Sequence, residues 1–240
     1  MQTKPSKKYV TGYLYKLLWL LSASLIFVPV LANSEQNVNP GINQHYQNPD
    51  YEHWVKIFER PGREVYDQRE AIVQQLDLQP GMRIADVGAG TGLFTRLFAK
   101  QVGEKGRVYA VDISSTFIEN IERTAQAQGL FNVSGIVSTQ QDAKLPAKSV
   151  DLVFVCDTYH HFEYPQSMLA SIYRALHKNG QLVIIDFRKQ PGVSSGWVMS
   201  HVRANKEDVI KEVETAGFKL IEQPELLRDN FFLKFIKINN

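Results

Sequence analysis

The chain has 240 residues, of which 44% are hydrophobic and 22% charged, and its formal net charge is +2. That is ample for one α/β domain with a full core, short for two, and incompatible with a mostly disordered chain. The single cysteine, Cys156, excludes an intramolecular disulfide and a cysteine zinc cluster.

Residues 1–32 hold Lys4, Lys7, Lys8 and Lys16 and no acid. An uncharged run, LLWLLSASLIFVPVLA, covers residues 17–32. It is shorter than the roughly 20 residues that span a membrane and matches the apolar region of an export signal, with cleavage expected after Ala32. An uncleaved anchor, which would hold the domain near a membrane, is the alternative. Either reading places the domain outside the cytoplasm; an anchor with its domain on the cytoplasmic side is a third possibility, against the positive-inside expectation. The four lysines exceed the net charge of the whole chain and leave the remainder at −2, which argues against nucleic acid as a partner.

Residues 33–50, NSEQNVNPGINQHYQNPD, are polar and rich in Asn and Gln, and read as an exposed linker in which His45 and Tyr46 have no assigned chemistry. With YEHWVKIF they form a linker and cap ending at residue 60, ahead of a domain over residues 61–240. One helix is expected over residues 64–78, EVYDQREAIVQQLDL, with Val65, Ile72, Val73, Leu76 and Leu78 at roughly helical spacing. Gln79-Pro80-Gly81 then turns the chain.

MRIADV (82–87) reads as a short buried strand, followed by Gly88, Gly90 and Gly92 and an amphipathic helix, LFTRLFAKQV. A glycine turn between strand and helix lets a ligand approach the backbone and aims the helix's free N–H groups at it. A second strand, RVYAVD, ends in Asp112, placed to accept hydrogen bonds from ribose hydroxyls. The spacing is G-x-G-x-G rather than G-x-G-x-x-G, and Asp86 precedes it. A carboxylate there repels a pyrophosphate and favours a cation, which argues against a nicotinamide dinucleotide.

Ser114 caps a helix running to Gly129. A third strand covers residues 133–138, and Asp142 sits in the loop after it, as a turn residue or as a ligand contact. VDLVFVC is nearly continuously apolar, as expected of a central parallel strand. It ends in DTYHHF, residues 157–162, at the edge of a sheet where ligands bind. His160 and His161 are packing residues, substrate-shaping residues or a general base. Adjacent histidines point apart and no third ligand lies at useful spacing, so no metal is expected. A helix over residues 166–177 and a strand over 180–187 follow, with Asp186 at the strand end. Residues 188–202 read as a substrate loop in which Trp197, Met199 and His201 either touch a substrate or pack. Asn205 caps the last helix, and FKLIE and NFFLKFIKI close the chain as strands.

The ordered set DVGAGTG, AVD, QQDA, DTYHHF, NGQLVIIDF and AGFKLIE resembles the class I S-adenosylmethionine (SAM)-dependent methyltransferases over residues 61–240. The resemblance implies a Rossmann-like, seven-stranded, mostly parallel sheet with one antiparallel strand and helices on both faces. It implies SAM as methyl donor. The glycine loop (Asp86, Gly88, Ala89, Gly90, Gly92) would lie at its amino-acid part, with Asp86 near the ammonium, Asp112 at the ribose and Asp142 at the adenine. Ile113, Ala143 and Asp157 flank these positions and count with them. Tyr66 and Arg69 would face the SAM carboxylate, or are surface residues of an amphipathic helix. His-His-Phe segments occur in similar methyltransferases of the quinone-biosynthesis and sterol types, which implies a small-molecule or lipid-like acceptor. Arsenite methyltransferases are set aside, because they use several cysteines. An exported domain lies apart from cytoplasmic SAM, so the alternative is an exported SAM- or nucleoside-binding scaffold without catalysis.

Overall fold

The computed structural model describes residues 1–5 and 35–238. The chain divides between residues 34 and 35, and the architecture below belongs to the second unit. The expected export signal lies almost wholly outside the described residues. Among the described residues, no helix is long and apolar enough to cross a membrane.

Seven strands form one sheet: β1 (Arg83–Val87), β2 (Arg107–Asp112), β3 (Val133–Val137), β4 (Val150–Cys156), β5 (Leu176–Phe187), β6 (Phe218–Glu222) and β7 (Asn230–Lys237). Their order is β3-β2-β1-β4-β5-β7-β6. The neighbours from β3 to β5 are parallel, and β7 runs antiparallel to both β5 and β6. This is the expected sheet, and its order reverses between β1 and β4, where open α/β sheets bind ligands.

Helices cover both faces because the central strands are apolar on both. Val153 and Val155 of β4 pack with Met168, Leu169 and Ile172 of α6 (Pro165–Ala175). Leu152 and Phe154, pointing the other way, pack with Phe94 and Phe98 of α4 (Leu93–Val102) and Ile72 of α3 (Arg69–Gln75). Local caps match the sequence reading: Ser114 accepts from the Phe117 N–H at the start of α5 (Ser115–Ala127), and Asn205 accepts from Asp208 N–H at the start of α8 (Lys206–Thr215).

Three expectations are corrected. The stretch 35–50 is not a free linker. Val38 N–H bonds to the Glu163 carbonyl at 2.9 Å, and Asn43, buried, donates to the His161 carbonyl at 2.9 Å and to Gln140 at 3.0 Å. Glu35 accepts from the N–H groups of Gln166 and Ser167 at 2.7 Å, at the start of α6, where a carboxylate is favoured. The helix expected over 64–78 is two pieces, α2 (Glu64–Asp67) and α3, broken at Gln68; Arg69 turns back onto the Tyr66 carbonyl at 2.7 Å, and Glu64 is fastened to the backbone N–H groups of Arg228, Asp229 and Asn230. Finally, α6 stops at Ala175, because Val150 pairs with Leu176 and the Lys148 and Ser149 N–H groups take the Arg174 and Ala175 carbonyls.

Behind the strand ends, fully buried Tyr159 donates to Glu212 of α8 at 2.7 Å, and Arg203 grips the same carboxylate through two bonds of 2.8 Å. Tyr159→Phe keeps the packing and removes one bond to a charged acceptor that Arg203 still satisfies. The expected cost is about 1.5 kcal/mol, or roughly 3–6 °C in Tm for a domain of this size. An unchanged thermal scan would show that the bond carries no net stability.

Candidate active site

A cleft of about 960 Å³ opens at the carboxyl ends of β1, β2, β4 and β5. Its floor is the glycine loop. Gly88, Gly90 and Gly92 all have positive φ, +75°, +54° and +79°, a conformation glycine adopts without steric cost. The Gly88 and Ala89 N–H groups bond to the Val111 carbonyl, fixing the loop against the end of β2. Asp112, buried, accepts from Gly90 N–H with one oxygen and from Ser114 N–H with the other, both at 2.9 Å. Asp86, also buried, accepts from the Thr95 hydroxyl at 2.6 Å. Burial pushes the Asp86 carboxyl up to about 7, and the neighbouring Asp112 charge adds to this. Burial likewise pushes Asp112 up to about 6, against the N–H groups that hold it. Burial outweighs the Arg96 charge and the hydrogen bonds that favour these two carboxylates, and a ligand bringing an ammonium and hydroxyls would favour their ionised forms further.

The opposite wall and roof come from elements that sequence reasoning left without chemistry. On α1 (Tyr51–Phe58), Trp54 and Phe58 pack with tilted rings, centroids 4.9 Å apart, and Tyr46 packs on Trp54 in the same way at 4.8 Å. All three rings line the cleft. The signal was present: Tyr51, Trp54 and Phe58 recur one helical face apart. Arg63 lies below them, bonded to Asp157 at 2.6 Å and to the Phe58 carbonyl at 2.8 Å. Asp157 has φ +48° and also accepts from Asn230 at 2.6 Å. Its carboxyl is raised by burial, with Arg63 working the other way.

The third wall is histidine. His160 sits in a short 3-10 turn (Tyr159–His161) after β4. Asp186 at the end of β5 accepts from its backbone N–H at 2.9 Å and lies 2.7 Å from its Nδ1. Burial disfavours the imidazolium, but the Asp186 carboxylate outweighs it: His160 is raised and Asp186 lowered from their ordinary values. His161 meets Asn43 Oδ1 through Nδ1 at 3.1 Å, and burial, then the charge of His160, drops it to about 3. His201 ends α7 (Gly196–His201), stacked on Trp197 at 4.5 Å.

The cleft therefore gathers Asp86, Gly88, Ala89, Gly90, Asp112, Ile113, Asp157, His160 and His161 as the sequence suggested. Gly92 stands just behind the loop, where a side chain would meet Ile121. Four expected residues lie elsewhere. Tyr66 and Arg69 stack on each other at 4.3 Å away from the cleft, and Arg60 and Arg63 are the arginines of this segment that line it. Asp142 turns outward to Arg174 at 3.1 Å and caps its own turn through Lys144 N–H; Ser138, Thr139 and Gln140 line the cleft in its stead. Ala143 is core, its N–H bonded to Ser171. In the substrate loop, Trp197 and His201 line the cleft and Met199 does not. The expectation that no third ligand reaches the histidine pair fails, because the fold brings His201 beside both.

The sheet order, with a glycine loop after β1, is the fold of the class I SAM-dependent methyltransferases. Residues 85–184 match the protein family described as "Methyltransferase domain". The chain is similar to the ubiquinone/menaquinone biosynthesis C-methyltransferase UbiE of Hydrogenovibrio crunogenus, 30% identical over 113 residues, which are 47% of this chain and 44% of that protein. It thus spans under half the length of the curated relatives it matches. Among solved structures, a SAM-dependent methyltransferase from Aquifex aeolicus is 26% identical, with a TM-score of 0.70 over 80% of this chain and all of that one. The [4+2]-cyclase SpnF shares the fold at 16% identity, with a TM-score of 0.62 over 76% of this chain and 86% of its own.

Proposed function

We propose that this protein transfers a methyl group from SAM to a small aromatic or lipid-like acceptor, of the quinone type that the UbiE relatives' name indicates. The observation that carries the reading is one continuous cleft with two unlike halves. One half is a glycine loop with Asp86 and Asp112, which suits a cationic nucleoside. The other is walled by Tyr46, Trp54, Phe58, Trp197 and histidines, which suits a flat apolar acceptor. When bound, SAM supplies an activated methyl on a sulfonium. The protein's part is to orient and to exclude water. Asp112 holds the ribose and the loop together, and the aromatic roof covers the acceptor.

Calorimetric titration of the full chain with SAM and with S-adenosylhomocysteine tests the first half of this reading. Binding of both at about micromolar Kd is expected, and no binding at about millimolar ligand would overturn it. Release of S-adenosylhomocysteine with a reduced quinone or substituted phenol tests the second. The lysine-then-apolar N-terminal stretch favours export, and with it a second reading, a SAM-binding scaffold without turnover. Binding without methyl transfer to any such acceptor would select it, since a fold does not dictate its chemistry.

SAM affinity should rise with pH. Asp86 and Asp112 are raised to about 7 and about 6, so each is partly protonated below those values. A cationic ligand favours the ionised forms, so binding releases protons. Affinity is expected to be at least about tenfold weaker at about pH 5 than at about pH 7.5. The sign for folding is opposite: carboxyls raised in the folded state lower stability as pH climbs from about 4 to 7, so SAM should raise Tm more at the higher pH. A flat affinity profile would remove both carboxylates from the binding site.

A further inference from the structure

The cleft contains a cluster that methyl transfer does not explain. The imidazoles of His160, His161 and His201 pack against one another with centroids 4.3, 5.2 and 5.2 Å apart. One ring nitrogen of each lies within 4.8 Å of one from each of the others, yet no hydrogen bond joins the three. His160 Nδ1 is committed to Asp186 and His161 Nδ1 to Asn43, which leaves Nε2 of each. The Nε2 of His201 is buried and has no hydrogen-bond partner. A buried, unpaired ring nitrogen costs about 1–3 kcal/mol, and simple aromatic packing leaves that cost unrelieved.

We propose that His160, His161 and His201 bind one first-row divalent metal ion of the Zn²⁺, Fe²⁺ or Co²⁺ class. Three neutral imidazoles are a donor set such ions favour, and three protein ligands leave a coordination position open to an exogenous oxygen. The surroundings are those of a built site. Asp186 and Asn43 orient two of the rings from behind, as carboxylates and amides do for metal-bound histidines. Tyr46, Phe187 and Trp197 enclose the three rings edge-on or by stacking. A tetrahedral ion with bonds of about 2.0–2.1 Å needs its nitrogens about 3.3 Å apart, so the rings must close by an ångström or so. That movement falls to His201, the last residue of the six-residue α7, which follows the irregular stretch 188–195. The site itself does not depend on the methyltransferase reading. Given that reading, the open position lies where an acceptor oxygen would sit.

The test uses the full chain, freed of any histidine tag and of metal, titrated with Zn²⁺ and with Co²⁺, whose visible absorption reports tetrahedral or five-coordinate nitrogen ligation. One equivalent is expected to bind. His201→Ala and His161→Ala should each weaken it by about 100-fold or more, Asp186→Asn by about 10- to 100-fold, and His177→Ala, at the other end of the sheet, not at all. Circular dichroism and thermal melting of the same samples report folding, and His201→Ala should keep the parent's spectrum. A parent that binds SAM but takes up no metal overturns the proposal, as does metal uptake unchanged in both histidine variants. A parent that binds metal and not SAM upholds the proposal and overturns the methyltransferase reading instead.

Discussion

Asp112→Ala is expected to weaken SAM binding by about 100- to 1,000-fold, or 3–4 kcal/mol. Two losses add. The carboxylate accepts from the Gly90 and Ser114 N–H groups, so removing it frees the glycine loop and the start of α5 at once, at about 1.5–3 kcal/mol per bond to a charged acceptor. Its remaining lone pairs are those that would receive the ribose hydroxyls. Asp112→Asn separates the two effects. It keeps the shape and one acceptor but lacks the charge, and should fall between parent and alanine. The measurement is calorimetric Kd on samples whose circular dichroism matches the parent. An affinity within about threefold of the parent would remove Asp112 from the nucleoside site.

Gly88→Ala is expected to destabilise the domain by about 3–5 kcal/mol and to abolish SAM binding at ordinary temperature. The residue has φ +75°, and its new Cβ would overlap Thr158 Cγ2 and Oγ1 and lie 2.7 Å from Thr158 Cβ. The backbone conformation costs about 1–2 kcal/mol, and the collision is with a short, β-branched side chain that has little freedom to move aside. Thr158→Ala in the same chain removes the two outer atoms and should restore part of the loss, leaving the φ penalty. Chemical denaturation of the four proteins in this cycle gives the coupling directly. If Gly88→Ala unfolds at the parent's midpoint, Gly88 does not lie against Thr158 as closely as this geometry requires.

What the sequence made legible is what local backbone chemistry demands. A strand, three glycines and a helix can be read because positive φ and close approach restrict residue choice at those positions, and Asp112 follows from the length of one βα unit. The fold's order followed from the family resemblance that six short motifs carry. The roof did not. Asn43 looks like any linker asparagine until it is seen bonded to groups 97 and 118 residues away. Asp142 met the expected motif, but a neighbour 32 residues on, Arg174, draws it outward. Tyr66 and Arg69 lie on the expected helix, but its break at Gln68 leaves them stacked together outside the cleft, and Arg63 reaches it. His201 joined the histidine pair only through the path of the loop that carries it, which no spacing rule encodes.

The family match begins at residue 85 and ends at residue 184, and the cleft is divided along nearly the same line. The loop and the two carboxylates fall inside that span, together with His160 and His161. Tyr46, Trp54, Phe58 and Arg63 precede it, and Trp197, His201 and Asn230 follow it. The part of the gene that encodes the glycine loop and its carboxylates is thus physically separate from most of the part that shapes the enclosure above them. Drift in the two flanking stretches can remould the enclosure without disturbing a single glycine, and grafting those stretches between relatives would move a pocket and leave its engine in place.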